Sequence, residues 1–201
     1  MGFITDIFSE TVKYGKKTYH TCAAYDHVLA VQKAYKDQKL EGIDKVNIAL
    51  RLLIRERFSV WALEDKKKIE LLELVVKKQI ELPKHPPTRK KERILDFELD
   101  GEYIFASFYQ AYKIDLIEQQ GKLHWKKFIA LFQGLPDNTK IREVMKIRSM
   151  ELPPYSGKNG KEIQQIQEMK SYYALPVQGG GGQNGLDRLF AALESQAVKN
   201  E

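Results

Sequence analysis

Histidine and cysteine side chains, the commonest protein ligands of zinc, lie close together near the start of the chain. His20, Cys22 and His27 have the spacing H-x-C-x4-H. This spacing matches no strong zinc pattern, and no second pair is placed to complete a tetrahedral site. Cys22 is also the only cysteine, which excludes an intrachain disulfide. We therefore expect no metal here and interpret these residues as part of a hairpin edge and a helix start.

Two glycine-lysine pairs, Gly157-Lys158 and Gly160-Lys161, are the nearest approach to a phosphate-binding loop. They lack the G-x-x-x-x-G-K-[ST] spacing, and Glu162 stands where Ser or Thr would bind magnesium. The glycines at 179–182 follow no predicted strand, and no arrangement of Ser, His and an acid resembles a nucleophile elbow. The sequence predicts that the protein is not an enzyme, with no cofactor and no catalytic residue.

A basic run at residues 84–93 is the third group that could do chemistry. It holds five Lys or Arg side chains against one Glu and supplies most of the net charge of +6. Its prolines oppose a regular helix, so we interpret 84–93 as a linker. Four of its side chains could bind phosphates and leave a nucleic-acid-binding module open: Arg89, Lys90, Lys91 and Arg93. Because no aromatic residues are interleaved for base stacking, we prefer the solvated linker.

The elements that position these residues divide into four predicted segments. Residues 1–83 form a hairpin plus helices, 84–93 the linker, 94–176 a helical region rich in aromatic residues, and 177–201 a glycine linker with an amphipathic tail helix. The predicted fold class is mainly α with a small β element, a bundle-like α+β arrangement. At 43% hydrophobic and 30% charged residues, the chain can bury a sizeable core. No apolar run approaches the ~20 residues that a membrane span needs.

Local patterns place the first elements. The predicted hairpin runs from Val12 to Tyr19 around Gly15, which can supply the positive φ of a tight turn. Three helices follow, and the predicted N-caps are Asp26, Asp44 and Asp65. On the third helix, apolar residues at helical spacing predict one buried stripe: Ile69, Leu72, Val76 and Ile80.

The second half of the chain begins with alternating apolar and polar residues, which predict a short strand or an extended lead-in near 94–99. Asp100 is the predicted N-cap of the next helix. Apolar residues at helical spacing predict the inward faces of four helices: Phe105, Phe108, Tyr109 and Tyr112; Trp125, Phe128, Ile129 and Phe132; Ile141, Val144 and Met145; and Ile163, Ile166 and Met169. We expect Trp125, Phe128 and Phe132 to hold this half together.

The last segment is a candidate partner-binding element. Four glycines, which are costly to order, precede a short amphipathic pattern. Its apolar residues project from one side of the predicted helix: Leu186, Leu189, Phe190 and Leu193. A helix of this length is marginal alone, so we expect it to dock on its own core, on a second copy or on a partner.

A series of motifs between residues 94 and 175 resembles one known family. The motifs, in order, are FELDGEYIFASF at 97–108, YKIDL at 112–116, LHWKKF at 123–128 and ALFQGLP at 130–136, with Thr139-Lys140-Ile141 and Arg148 following. They resemble the gp fifteen type proteins of tailed bacteriophages and of prophages of Gram-positive bacteria. Residues 177–201 lie outside this resemblance.

The resemblance implies a function in phage tail assembly. Genes of that family lie just before the tape-measure gene, where tail-assembly chaperones are encoded. It therefore implies a non-enzymatic chaperone that acts in the cytoplasm of the infected or lysogenic host and is absent from mature virions. The implied partners are the tape-measure protein, the tail-tube protein and further copies of the chain itself, with no membrane and no nucleic acid. The main alternative is a structural tail or connector component of the virion.

Overall fold

A computed structural model of the protein describes residues 8–82 and 93–176. These residues form one two-stranded hairpin and eight α-helices, which confirms the predicted fold class. They group into two compact units, of which the first contains residues 8–82 with 117–131 and the second 93–116 with 132–176. The return of residues 117–131 to the first unit is a feature that the four predicted segments do not contain.

The hairpin of the first unit forms as the sequence predicts. Strand β1 (Thr11–Tyr14) pairs antiparallel with β2 (Lys17–His20), and the buried side chains of Val12 and Tyr19 stand opposite each other. The register leaves Gly15 and Lys16 as a two-residue loop. Gly15 has a φ of 59°, the positive value that the first loop position of a type II′ turn requires.

Four helices follow the hairpin: α1 (Tyr25–Lys36), α2 (Gly42–Leu53), α3 (Arg57–Trp61) and α4 (Asp65–Val75). A π-helical turn, Val76–Ile80, continues α4. Helix α2 contacts both α1 and α4, and α4 also contacts β1. The aliphatic core between them includes Val28, Val31, Leu50, Leu53, Leu71, Leu72 and Ile80.

The three predicted N-caps of these helices are wrong by one to three residues. Asp26, Asp44 and Asp65 each lie in the first helical turn, where a carboxylate is still favoured by the positive end of the helix dipole. This preference gives first-turn and N-cap acids the same sequence signature. The observed N-cap positions are Ala24, Glu41 and Glu64.

The buried stripe of α4 is offset from the predicted one. Leu72, Val76 and Ile80 are buried as expected, but Ile69 is exposed. Lys68 takes an inward position instead, with its ammonium 3.2 Å from the Asp65 carboxylate. A lysine can bury its methylene chain in this way while keeping its charge paired, which a pattern based on residue polarity does not anticipate.

The second unit is built on α5 (Gly101–Tyr112), α7 (Lys140–Ser149) and α8 (Gly160–Tyr172). Helix α5 contacts α7, and α7 contacts α8. The buried hydroxyl of Ser107 donates to the Tyr103 carbonyl at 2.6 Å and accepts from the Ile141 N–H at 3.0 Å. This hydroxyl therefore satisfies an N–H in the first turn of α7 that has no partner within the helix.

Of the two alternatives predicted near 94–99, a short strand or an extended lead-in, the strand does not form. Residues 93–96 have no regular secondary structure, and residues 97–100 form a turn. The carboxylate of Asp96 accepts the backbone N–H groups of Glu98 and Leu99, at 2.8 and 3.1 Å. A side chain that bonds to the backbone two residues ahead stabilises a turn, so Asp96 fixes the turn that leads into α5.

Most of the predicted inward faces of the second half are confirmed. Phe108, Ile141, Val144, Met145 and Ile166 are all buried. The prediction is wrong for Tyr109 and Met169, which are exposed. Both residues stand at the edge of their helical stripe, where spacing alone does not separate inside from outside.

Helix α6 (Trp125–Gln133) contributes to both units rather than to the second half alone. Phe128 stacks on Tyr25 in the first unit, with ring centroids 4.9 Å apart. Phe132 belongs to the second unit and meets Phe97 edge-on at 5.5 Å. The expected burial of Trp125, Phe128 and Phe132 is confirmed, but the first two stabilise the first unit.

Candidate partner-binding surface

The short helix α3 presents two large aromatic side chains to solvent. Phe58 and Trp61 are three residues apart and therefore lie on the same side of the helix, and they are 91% and 82% exposed. We call this pair the α3 aromatic face. Val60, on the other side of the helix, is buried in the first unit.

Contacts on its N-terminal side hold α3 in place. The carboxylate of Glu56, the residue before the helix, accepts the backbone N–H of His20 at 2.9 Å and lies 2.5 Å from its imidazole. Burial raises the pKa of Glu56, but the hydrogen bonds from His20 outweigh it, so that the pKa is lowered overall and the carboxylate stays ionised. The N–H of Arg55 also donates to the His20 carbonyl at 3.0 Å. The α3 aromatic face is thus attached to the end of β2.

The second unit also exposes two single tyrosines, near opposite ends of α8. Tyr155 and Tyr172 are 75% and 78% exposed. Asn159 orders the loop that carries Tyr155, since its side chain accepts the N–H of Ser156 at 2.9 Å and donates to the Pro154 carbonyl at 3.0 Å. Hydroxyl groups make these two tyrosines easier to solvate than Phe58 and Trp61, and they do not share one side of a helical turn, so the α3 aromatic face is the stronger candidate.

The residues that the sequence singles out for partner or phosphate binding lie mostly outside the described residues. This holds for the tail residues Leu186, Leu189, Phe190 and Leu193 and for Arg89, Lys90 and Lys91 of the linker. Arg93 is described, and its guanidinium forms an ion pair with the buried carboxylate of Asp96. One of the four linker cations is therefore engaged within the second unit.

The three candidate metal ligands are found in separate contacts. His20 pairs with Glu56, and His27 lies 3.8 Å from the Asp26 carboxylate. Cys22 is half-buried with a free thiol. Within residues 8–82 and 93–176, no three His, Cys, Asp or Glu side chains converge as a metal site would require.

The sequence analysis does not single out Phe58 or Trp61. Five helical residues are too few to show a periodicity, and large aromatic side chains are ordinarily buried. The available signal is the presence of two large aromatic residues within one short segment, Arg57-Phe58-Ser59-Val60-Trp61, which directly follows the charged residue Glu56.

The protein is therefore mainly helical and exposes several large aromatic side chains. Comparison with known proteins identifies its family. The chain matches the family model of the bacteriophage Gp15 protein over residues 4–175, and it belongs to this family of phage proteins. No curated protein and no solved structure matches it. Among the described helices, none has the length and apolar character to cross a membrane.

Proposed function

We propose that this phage protein is a non-enzymatic tail-assembly chaperone, which binds the tape-measure protein and tail-tube subunits during tail morphogenesis in the host cytoplasm. The α3 aromatic face carries the proposal within the structure. Exposed aromatic side chains of this size on one helix are typical of surfaces that another protein covers. The gene position implied by the family resemblance supports the choice of the tape-measure protein as partner.

The size of the α3 aromatic face suits a chaperone that must release its partner. Burying a Phe and a Trp removes about 300–500 Å² from water, worth roughly 7–12 kcal/mol before the costs of association. Association costs about 4–15 kcal/mol, so one copy binds weakly. Several copies along one long partner would bind firmly together, and each would leave easily when tail-tube subunits replace it.

The tape-measure protein itself provides the direct test. We would co-express it with the chain and measure co-purification for the double variant Phe58→Ser/Trp61→Ser. Tyr155→Ser/Tyr172→Ser is the control, because it removes two aromatic residues that are also largely exposed, at 75% and 78%, from the other unit. We expect the α3 variant to lose the tape-measure protein and the control to retain it. Retention by both variants would contradict the proposal.

Mass spectrometry of purified virions separates the chaperone from a structural tail or connector component. A chaperone is absent from the finished particle, whereas a structural component is present at a fixed ratio to the tail-tube protein. Detection of the chain at such a ratio would favour the structural alternative.

A further inference from the structure

The first unit contains a cleft whose lining does not include Phe58 or Trp61 of the α3 aromatic face. Its volume is about 380 Å³. The cleft is lined by residues from several places in the first unit. They come from before β1, from the segment between β2 and α1, from the π-helical turn and from around the start of α6. Among them are Phe8, Thr21, Gln79, Lys122, His124 and Lys127.

Two buried polar side chains line this cleft. Gln79 is 4% exposed and Thr21 is 3% exposed. Neither the amide of Gln79 nor the hydroxyl of Thr21 is among the fully buried side-chain atoms that lack a hydrogen-bond partner. Both side chains are instead part of the lining of the cleft, where a ligand could form hydrogen bonds with them.

Cations outnumber acids around the cleft. Lys122, Lys127 and Arg55 line it together with one acid, Glu10, whose carboxylate is 4.0 Å from Arg55. The ammonium of Lys122 donates to the Glu118 carbonyl at 2.9 Å and keeps two further N–H groups for another acceptor. The lining charge of about +2 favours an anion.

His124 adds a neutral ring to the cleft. Its Nδ1 accepts the N–H of Lys126 at 3.2 Å, so a single proton on the neutral ring belongs on Nε2. Burial, reinforced by the charges of Lys126 and Lys127, lowers the pKa of His124 to about 4. The charge of the cleft near neutral pH therefore comes from its Lys and Arg side chains.

One side of the cleft is apolar. The ring of Phe8 stacks on that of His124, with centroids 4.6 Å apart, and Ala23 and Ala24 also line the cleft. This wall could contact the methylene groups of an acidic side chain or the side chain of a C-terminal residue. A free inorganic phosphate has no apolar part to place there.

We propose that this cleft binds a peptide carboxylate, either an acidic side chain or the C-terminal carboxylate of a protein segment. The ammonium groups of Lys122 and Lys127 would attract the carboxylate, while the Gln79 amide and Thr21 hydroxyl would hydrogen-bond the peptide. The apolar wall would take the aliphatic part of the residue. The proposal does not depend on the tape-measure protein as partner.

Titration of the full chain by nuclear magnetic resonance tests this proposal. The probes are Ac-Ala-Glu-Ala-NH₂ for a side-chain carboxylate, Ac-Ala-Ala-Leu-OH for a C-terminal carboxylate, Ac-Ala-Gln-Ala-NH₂ as the neutral control, and inorganic phosphate. We expect one of the two carboxylate peptides to shift the side-chain amide signals of Gln79. The peptide that binds more tightly identifies the source of the carboxylate.

Charge-matched variants separate the cleft from a general charge effect. Lys127→Gln should weaken peptide binding about three- to fivefold, whereas Lys66→Gln, an exposed position on α4 outside the cleft, should leave it unchanged. Phe58→Ser/Trp61→Ser should also bind the peptide normally, which distinguishes this site from the proposed chaperone surface. The proposal fails if no carboxylate-dependent shift occurs up to about 10 mM, if phosphate or the Gln peptide produces the same shifts, or if Lys66→Gln weakens binding as much as Lys127→Gln.

Discussion

The guanidinium of Arg148 donates two hydrogen bonds to the carboxylate of Asp100, at 2.7 and 2.8 Å, and both side chains are buried in the second unit. Arg148 also donates to the carbonyls of Ile94, at 2.9 Å, and Tyr173, at 2.6 Å. The Asp100 carboxylate accepts a further bond from the N–H of Asp96. One side chain of α7 thus joins residues that lie near both ends of the described second unit.

Removing one partner of this pair should destabilise the second unit strongly. Arg148→Ala leaves the Asp100 carboxylate buried without its counter-charge, and we expect the free energy of unfolding to fall by about 3–5 kcal/mol. Urea denaturation measures this change. Lys146→Ala, an exposed position on the same helix, is the control and should stay within about 0.5 kcal/mol of the parent. Equal effects of the two substitutions would contradict a structural role for the pair.

Phe128→Ala should destabilise the first unit. The ring is buried against Tyr25 and Trp125, so its loss removes apolar contacts and leaves a cavity. We expect a cost of about 3–5 kcal/mol in thermal or chemical unfolding. Phe58→Ala removes the same side chain from an exposed position and should cost less than about 0.5 kcal/mol. A melting temperature unchanged in Phe128→Ala would show that this packing is wrong.

Acid should weaken the first unit through His124. Its pKa is about 4 in the folded protein, below the ordinary value of about 6.5 that it regains on unfolding. Between these two pH values His124 is protonated in the unfolded chain but neutral in the folded protein. The contribution of neutral His124 to the free energy of unfolding is therefore complete above pH ~6.5 and is lost as the pH falls towards 4. Allowing for partial exposure of the ring, we expect a loss of about 1–2 kcal/mol.

The variant His124→Asn isolates this pH effect. Asn can still accept the N–H of Lys126 at the start of α6, but it does not titrate in this range. Denaturation series between pH 7 and 4.5 should therefore show a shallower loss of stability in the variant than in the parent. Parallel pH profiles would show that His124 does not carry the effect.

Deleting residues 179–201 tests the predicted tail helix, which lies outside the described residues. Because four glycines precede its apolar residues, we expect the deletion to change the stability of the remainder by no more than about 1 kcal/mol. Self-association or co-purification with the tape-measure protein should weaken. The prediction is wrong if the shortened chain unfolds, or if it assembles and binds as well as the full chain.

Local physical signals in the sequence predict the hairpin and most helix faces. Gly15 between short alternating runs specifies the turn, and the spacing of Ile141, Val144 and Met145 specifies the inward side of α7. Such signals depend only on neighbours in the chain. They are less reliable at the edges of a stripe, as Ile69 and Tyr109 show, because there the neighbouring helix decides burial.

Long-range relationships have no comparable local signal. The sequence predicts Asp100 as the N-cap of α5, and Asp100 does occupy that position, but its carboxylate binds Arg148, 48 residues later. The return of residues 117–131 to the first unit likewise depends on contacts with residues about 100 positions earlier, such as the bond from the Trp125 N–H to the Ala23 carbonyl. The exposed α3 aromatic face was also missed, since sequence patterns favour burial for aromatic residues.

The division of α6 between two units sets the order in which the nascent chain can fold. The first unit needs Trp125 and Phe128 for its core, so it cannot be completed until the ribosome has released residue 131. By then residues 93–116 of the second unit have already left the ribosome. Domains generally fold as units during synthesis, the N-terminal one first. In this protein the second unit has begun to emerge before the first can close.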